Sequence, residues 1–198
     1  NVRVAIRGRV RAMPPETQRA LEVAAVRGTQ FEAELVRQVQ GGDPAAVSDA
    51  LEAAERAEIV RQVSDGNRPR FAFTHTLIPT AMVEDMPPAA RRSLHAQVAQ
   101  ALAELEPDEV ETLAHHYRAA GDHDRAVHYL LLAGDRAQSV CACLEAIEYY
   151  TAAAALQRQA GSTEELARTL LKLGLACSAN FQFDQARRAY EEAFDLWE

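Results

Sequence analysis

The sequence has few cysteines, and their spacing excludes the usual roles of cysteine clusters. The three cysteines, Cys141, Cys143 and Cys177, are odd in number and form no C-x-x-C pair. This argues against a disulfide framework and against a zinc site. Alanine-flanked cysteines at helical spacing are typical of small core residues, so we expect a reducing, cytoplasmic location.

Long hydrophobic runs are absent as well. No apolar segment reaches the roughly 18 residues that a membrane-spanning helix requires. The chain also does not start with a charged-then-apolar signal segment, so we expect no membrane contact. The first residue is Asn1 rather than methionine, and we interpret the sequence as a piece of a longer protein.

The short motifs of common enzyme chemistry are also missing. The sequence contains no G-x-x-x-x-G-K-[ST] phosphate loop, no G-x-S-x-G elbow and no H-E-x-x-H metal motif. Histidines concentrate at His115, His116, His123 and His128. The adjacent pair would point about 100° apart on a helix, which does not suit two ligands of one metal. We therefore predict a non-catalytic chain with no metal site and no cofactor of its own.

Charge is distributed unevenly along the chain. Residues 1–70 carry 11 arginines against 10 acids, whereas residues 71–198 carry 10 basic residues against 19 acids. The acidic part would repel a phosphate backbone, so it is a poor candidate for nucleic-acid binding. The one basic cluster, Arg3, Arg7, Arg9 and Arg11, is interpreted as a solvated helix face.

The first part of the chain consists of short elements separated by proline- and glycine-containing turns. Four helices are predicted there. The first runs through Val2–Val10, and the second runs from the Pro14-Pro15 pair to Gly28. The third has Phe31, Leu35, Val36 and Val39 on a single face and ends at Gly41-Gly42, and the fourth is capped by Asp43. The pattern then alternates on both sides of the turn-rich "SDGN", with Ile59 and Val63 before it and Phe71 and Phe73 after it. This predicts a β-hairpin, and helices followed by a hairpin are the winged-helix arrangement. Thr74 is the predicted N-cap of the next helix.

From Pro107 onward the chain is rich in Ala, Leu and Glu and predicts five helices, at 108–119, 123–140, 143–159, 163–179 and 183–197. Small residues and a tyrosine recur at tetratricopeptide spacing, as at Ala146, Tyr150 and Ala153. The spacing is irregular, because the interval from Ala146 to Ala186 is longer than the expected period of about 34 residues. We therefore predict a mainly α chain: a winged-helix domain with a small β-hairpin and linker helices over 1–105, then a tetratricopeptide-like α-solenoid over 106–198. Phe194 and Trp197 lack a capping neighbour, so we expect the array to continue.

Four segments in this order resemble the middle of bacterial signal-transduction ATPases of the STAND class. They read "MPPETQRALEVAAVRGTQFEAELV", "DALEAAERAEIVRQV", "RFAFTHTLIPTAMVEDMPPAARRSLHAQVAQAL" and "LAHHYRAAGDHDRAVHYLLLAGDRA". The class includes large LuxR-type and MalT-like transcriptional regulators and ATPase-linked adenylate cyclases. The resemblance implies an upstream nucleotide-binding domain in cis, which binds ADP or ATP with Mg²⁺, and a protein or small-molecule inducer that binds the repeats. It also implies a homo-oligomer in the activated state.

The resemblance also implies a role for His75. In related STAND proteins, a Met-His-Asp motif at the strand-to-helix junction of the winged helix supplies a histidine that contacts the β-phosphate of ADP. By position, this motif and the leucine that follows it fall on Thr74, His75, Thr76 and Leu77, of which the histidine and the leucine match. His75 is therefore the predicted nucleotide-sensing residue. Thr76 cannot supply the charge of the missing aspartate.

Candidate partner contacts lie on the predicted repeats. If helices 108–119 and 163–179 line a concave surface, exposed Tyr117, Arg118, Arg168 and Lys172 are the expected contacts. The main alternative is a standalone tetratricopeptide interaction scaffold. A third hypothesis is a DNA-binding winged helix, whose helix before the wing would enter the major groove. That helix carries Asp43, Asp49, Glu52, Glu55 and Glu58 against Arg56, so no direct DNA contact is expected.

Overall fold

A computed structural model of the chain describes residues 2–41, 43–64 and 69–197, with the backbone alone for residues 2–5 and 7. The described residues form eleven helices and three strands, so the prediction of a mainly α chain is confirmed. The chain divides into two compact units, Asn1–Glu106 and Pro107–Glu198. The centre of the predicted "SDGN" turn, Gly42 and the Arg3 and Arg7 side chains lie outside the described residues.

The first unit contains six helices and the three strands. In chain order these are α1 (Val2–Arg11), α2 (Pro15–Arg27), β1 (Gln30–Glu32), α3 (Ala33–Gln40), α4 (Pro44–Arg56), β2 (Val60–Ser64), β3 (Arg70–Phe73), α5 (Leu77–Asp85) and α6 (Pro88–Leu105).

Helix α2 is the centre of the first unit. It starts at Pro15, whose fixed φ suits the first helical turn, and it buries residues on most of its circumference, including Leu21 and Ala24. It packs against α3, α4, α5 and α6. Removing a side chain such as Leu21 from water stabilises the fold by about 1.5–3 kcal/mol, so α2 organises the core around which the other helices assemble.

The three strands form a small antiparallel sheet in the order β1-β3-β2. Phe31 of β1 is opposite Phe71 of β3, and their ring centroids lie 5.9 Å apart at an interplanar angle of 18°. Phe73 lies 5.7 Å from the same Phe31 ring. The prediction that Phe31 belongs to the third helix is therefore wrong, because pairing with β3 holds it in an edge strand.

The hairpin arms also differ from the predicted alternation. Ile59 and Val60 are both buried, whereas Val63 is 41% exposed. The register of β2 against β3 shifts between Gln62 and Ser64, and such a bulge disrupts the alternation of side chains between the two faces. The predicted alternation is therefore interrupted within β2.

The second unit is a series of antiparallel helices. These are α7 (Val110–Ala120), α8 (His123–Ser139), α9 (Cys143–Ala160), α10 (Thr163–Ala179) and α11 (Phe183–Asp195). Each packs against the next in the chain. Gly121 and Gly161 end α7 and α9 with φ of 80° and 74°, a left-handed conformation that glycine adopts without strain.

The helices of the second unit repeat at a constant interval. Gly134 of α8 faces the ring of Tyr150, and Gly174 of α10 faces the ring of Tyr190. The two glycines are separated by the same length of chain as the two tyrosines. The regular unit, seen in α8–α9 and again in α10–α11, is therefore a helical hairpin of about 40 residues, longer than the expected one of about 34 residues. Gly121 and Gly161 are separated by the same interval, so α7 corresponds to α9 in this register. That α7 and α10 line one concave surface stays a prediction.

Candidate functional site

His75 lies in the segment that connects β3 to α5, and its side chain is exposed. Its Nδ1 atom accepts a hydrogen bond from the backbone N–H of Leu77 at 3.1 Å, and its carbonyl accepts one from Ile78 N–H at 3.0 Å. The imidazole therefore caps the first turn of α5. The predicted N-cap, Thr74, is wrong: Thr76 occupies the N-cap position, and the Thr74 hydroxyl lies within hydrogen-bonding distance of the carbonyls of Glu58 and Ile59.

The capping bond defines which imidazole nitrogen is free. A neutral histidine that accepts at Nδ1 carries its proton on Nε2. Among the described residues, Nε2 of His75 contacts no hydrogen-bond partner. The N–H at Nε2 can therefore donate to an external acceptor, and the positive end of the α5 dipole favours an anionic one.

The candidate contacts on the repeats are in different environments. Tyr117 is 4% exposed, so its predicted exposure is wrong. Its ring stacks on Tyr129 of α8, with centroids 5.4 Å apart and planes 7° apart, and the Arg125 guanidinium lies 5.4 Å from its centroid. Burial raises the pKa of the Tyr117 hydroxyl. Tyr117 thus joins α7 to α8, whereas Arg118 is exposed on α7.

Arg168 and Lys172 come together in a groove of the second unit with a volume of about 460 Å³. We call this the α8–α10 groove. It is lined by His123, Asp124, Val127, His128 and Leu131 of α8, Leu156, Gln157 and Ala160 of α9, and Ser162, Glu165, Arg168, Thr169 and Lys172 at or within α10. Of the four predicted contacts, Arg168 and Lys172 line this groove.

Both cations of the α8–α10 groove are already paired. Arg168 forms an ion pair with Glu164 one turn earlier. Lys172 donates to both carboxylate oxygens of Asp135, at 2.6 and 2.7 Å, and its Nζ lies 5.9 Å from the centre of the Tyr150 ring. Each positive charge therefore has a negative counterpart next to it, so the pair does not form a strongly attractive site for anions.

Lys172, Asp135 and Tyr150 also connect three helices. The Tyr150 hydroxyl donates to Asp135 Oδ1 at 2.7 Å, and this links α9 to α8, while Lys172 extends the network to α10. Burial, followed by the hydrogen bond to Asp135 and its charge, raises the pKa of Tyr150. Lys172 therefore has a structural role between successive hairpins.

Gln157 is the groove residue that sequence reasoning missed. It is 3% exposed, and its Oε1 atom is buried with no hydrogen-bond partner among the described residues. Buried amides of this kind are uncommon, because an unpaired polar atom lowers stability. A glutamine near the end of an alanine-rich helix has no distinctive sequence signal, so only the packing reveals it.

The outward face of α4 is acidic, as predicted. Asp49 and Glu52 are exposed, and Arg56 is the one exposed cation of that helix. Glu55 accepts the backbone N–H of Gln62 at 2.9 Å, so it joins α4 to β2. This face would repel a phosphate backbone.

A bilayer-crossing helix would need to be longer and more apolar than any found in the described part of the chain. The chain matches no protein-family model, and no curated protein matches it significantly.

Proposed function

We propose that this chain is a regulatory, non-catalytic segment of a STAND-class signalling ATPase. In this proposal the first unit is a winged helix that senses the nucleotide held by an upstream domain in cis. The second unit is a tetratricopeptide-like arm that receives a protein or small-molecule inducer. The ADP-bound state is closed, and ATP with Mg²⁺ together with the inducer opens the protein for assembly into a homo-oligomer.

The observation that carries the proposal is the arrangement of His75. A bond from Leu77 N–H to Nδ1 holds the ring at the start of α5 and leaves the Nε2 proton exposed. A hydrogen-bond donor at a helix N-terminus suits a phosphate oxygen, since the charge of the ligand and the helix dipole attract each other. The helices before the hairpin and the helical hairpins of the second unit support the same assignment.

The nucleotide content of the full-length gene product tests this proposal. We expect an upstream glycine-rich phosphate loop in its sequence, and ADP released on denaturing the purified protein. A full-length protein with neither would refute the proposal and favour a standalone interaction scaffold.

A shift assay separates the DNA-binding alternative. The chain should not retard duplex DNA even at low salt, where phosphate contacts are strongest. Retardation that weakens with added salt would instead favour DNA binding by the first unit.

A further inference from the structure

The unpaired charges in the α8–α10 groove are negative. Asp124 lies in the first turn of α8 and Glu165 in the first turn of α10, and both line the groove. Within the described residues, neither carboxylate forms a hydrogen bond or an ion pair. Acids in a first helical turn are favoured by the helix dipole, so these two alone do not indicate a ligand.

Gln157 provides the independent indication. Its side chain is almost completely buried, with 3% exposure, lines the groove and has no hydrogen-bond partner on either amide atom among the described residues. The terminal amide torsion of glutamine is broad and roughly two-fold. A half-turn therefore exchanges Oε1 with Nε2, and the amide can present its acceptor to a ligand in the groove.

Part of the remaining wall suits a hydrocarbon chain, and His123, His128, Ser162 and Thr169 line the rest. Val127 and Leu131 of α8 and Leu156 of α9 line the same groove, and each is half-buried. Apolar side chains in these positions gain stability when an alkyl chain displaces water from them. The groove therefore combines an apolar wall, a buried amide without a partner and two free carboxylates.

We propose that the α8–α10 groove binds an alkylammonium ligand, such as a diamine or polyamine. One ammonium group donates to Gln157 Oε1 and is attracted by Asp124 and Glu165, while the alkyl chain lies on the apolar wall. Arg168 and Lys172 do not oppose this binding, because Glu164 and Asp135 neutralise them. That such a ligand acts as the inducer rests on the proposed function.

Calorimetric titration of the purified chain tests the binding directly. The probes are 1,5-diaminopentane and spermidine, with glutarate as an anionic compound of the same carbon number as the diamine. We expect saturable binding of both ammonium compounds and none of glutarate. Gln157→Leu should weaken the binding roughly tenfold through loss of a hydrogen bond to a charged group, and the double variant Asp124→Asn/Glu165→Gln should weaken it at least as much.

The matched control is Asp184→Asn. Asp184 is an exposed acid in the first turn of α11, the same helix position that Asp124 has in α8, and it is not among the residues that line the groove. Its replacement should leave the affinity unchanged. Equal weakening by Asp184→Asn and by the groove variants would show non-specific attraction to an acidic protein and would overturn the proposal.

Two further results would also overturn it: no saturable binding of either ammonium compound at millimolar concentration, or an unchanged affinity in Gln157→Leu. Asp124 and Glu165 are exposed, so the double variant tests the groove without disturbing the core. This titration uses no nucleotide and does not involve His75. A failure here therefore leaves the nucleotide-sensing proposal standing, and a failure of that proposal leaves the binding result standing.

Discussion

Replacing Gly134 by alanine tests how closely α8 and α9 approach each other. A Cβ atom at this position would lie 2.5 Å from Tyr150 Cε1 and 2.8 Å from Cδ1. Carbon atoms normally approach to about 3.5–4.0 Å, so the ring would have to move by roughly 1 Å. Tyr150 is 0% exposed, and its hydroxyl donates to Asp135 at 2.7 Å, which leaves the ring little room.

The opposing contributions to stability can be estimated. Overpacking of a core costs about 1–3 kcal/mol, and a displaced Tyr150 ring would also weaken a hydrogen bond worth about 1 kcal/mol. Alanine gains about 1 kcal/mol over glycine in helix propensity. We therefore expect Gly134→Ala to lower the free energy of unfolding of the second unit by about 2 kcal/mol. Gly174→Ala should cost less, because Tyr190 is only half-buried and can yield.

Urea unfolding followed by tryptophan fluorescence measures this change. Trp197 is the single tryptophan and belongs to the second unit, so its signal reports on that unit. In a Tyr150→Leu background the obstructing ring is gone, and Gly134→Ala should become neutral or stabilising. Gly8→Ala, in the first unit, is the control for substitutions outside the second unit, because a Cβ there would meet nothing within 4 Å. It should leave the Trp197 transition unchanged.

A Gly134→Ala variant whose second unit is stabilised by about 1 kcal/mol, the gain that propensity alone predicts, would refute the close approach of α8 and α9. A destabilisation of equal size in the Tyr150→Leu background would refute it too, because the cost would then not come from the ring.

Three further substitutions test individual contacts. His75→Ala should destabilise the first unit by about 1 kcal/mol in urea unfolding followed by circular dichroism, whereas His75→Asn should not, since asparagine can accept the Leu77 N–H. Gln157→Leu should raise the midpoint of thermal unfolding, because it removes a buried amide atom whose lack of a partner costs about 1–3 kcal/mol. Burial and Asp135 raise the pKa of the Tyr150 hydroxyl above its ordinary 10.0. As pH rises, Tyr150 therefore loses its proton in the unfolded state before it does so in the folded state. The free energy of unfolding contributed by Tyr150 is fully present below pH 10 and falls as pH rises above it. In urea titrations at alkaline pH, Tyr150→Phe should make this fall less steep.

Each of these expectations can fail separately. Equal destabilisation by His75→Asn and His75→Ala would refute the capping role of Nδ1. A lower thermal midpoint in Gln157→Leu would show that this amide is satisfied in solution. An unchanged alkaline slope in Tyr150→Phe would show that other groups cause the loss of stability.

Helix positions in the second unit could be predicted well from sequence. The five predicted helices differ from the observed ones by at most two residues at each end, because Gly121 and Gly161 mark clear ends and the apolar period is helical throughout. The longer repeat period was also visible in the spacing of Gly134 and Gly174. The long interval from Ala146 to Ala186 was instead interpreted as irregular spacing, because it was compared with the shorter tetratricopeptide period.

The sheet was harder to predict because its features are not local. Strand β1 has three residues, too few for a periodic signal. It exists because it pairs with β3, from which α3, α4 and β2 separate it in the chain. The bulge in β2 displaced Val63 to the surface for the same kind of reason. Neither pairing partner can be recognised from the strand's own residues.

Side-chain environments at the candidate sites were the least predictable feature. Tyr117 is buried because Tyr129 of the next helix stacks on it, and Lys172 is occupied by Asp135, 37 residues earlier in the chain. His75 could be recognised as a junction residue, but its capping bond to Leu77 depends on backbone geometry. Contacts between helices determine how these side chains are buried and paired, and such contacts cannot be derived from a single sequence.

The most direct test of the proposed function is the rate of ADP release from the full-length gene product. A fluorescent ADP analogue can be displaced by excess ADP in a stopped-flow instrument, with wild type compared with His75→Asn and His75→Gln. Asparagine keeps the acceptor for Leu77 N–H but lacks a donor at the position of Nε2, whereas glutamine can supply that donor. We expect ADP release at least roughly tenfold faster in His75→Asn than in wild type, and a rate closer to that of wild type in His75→Gln. Equal release rates in all three proteins would contradict it.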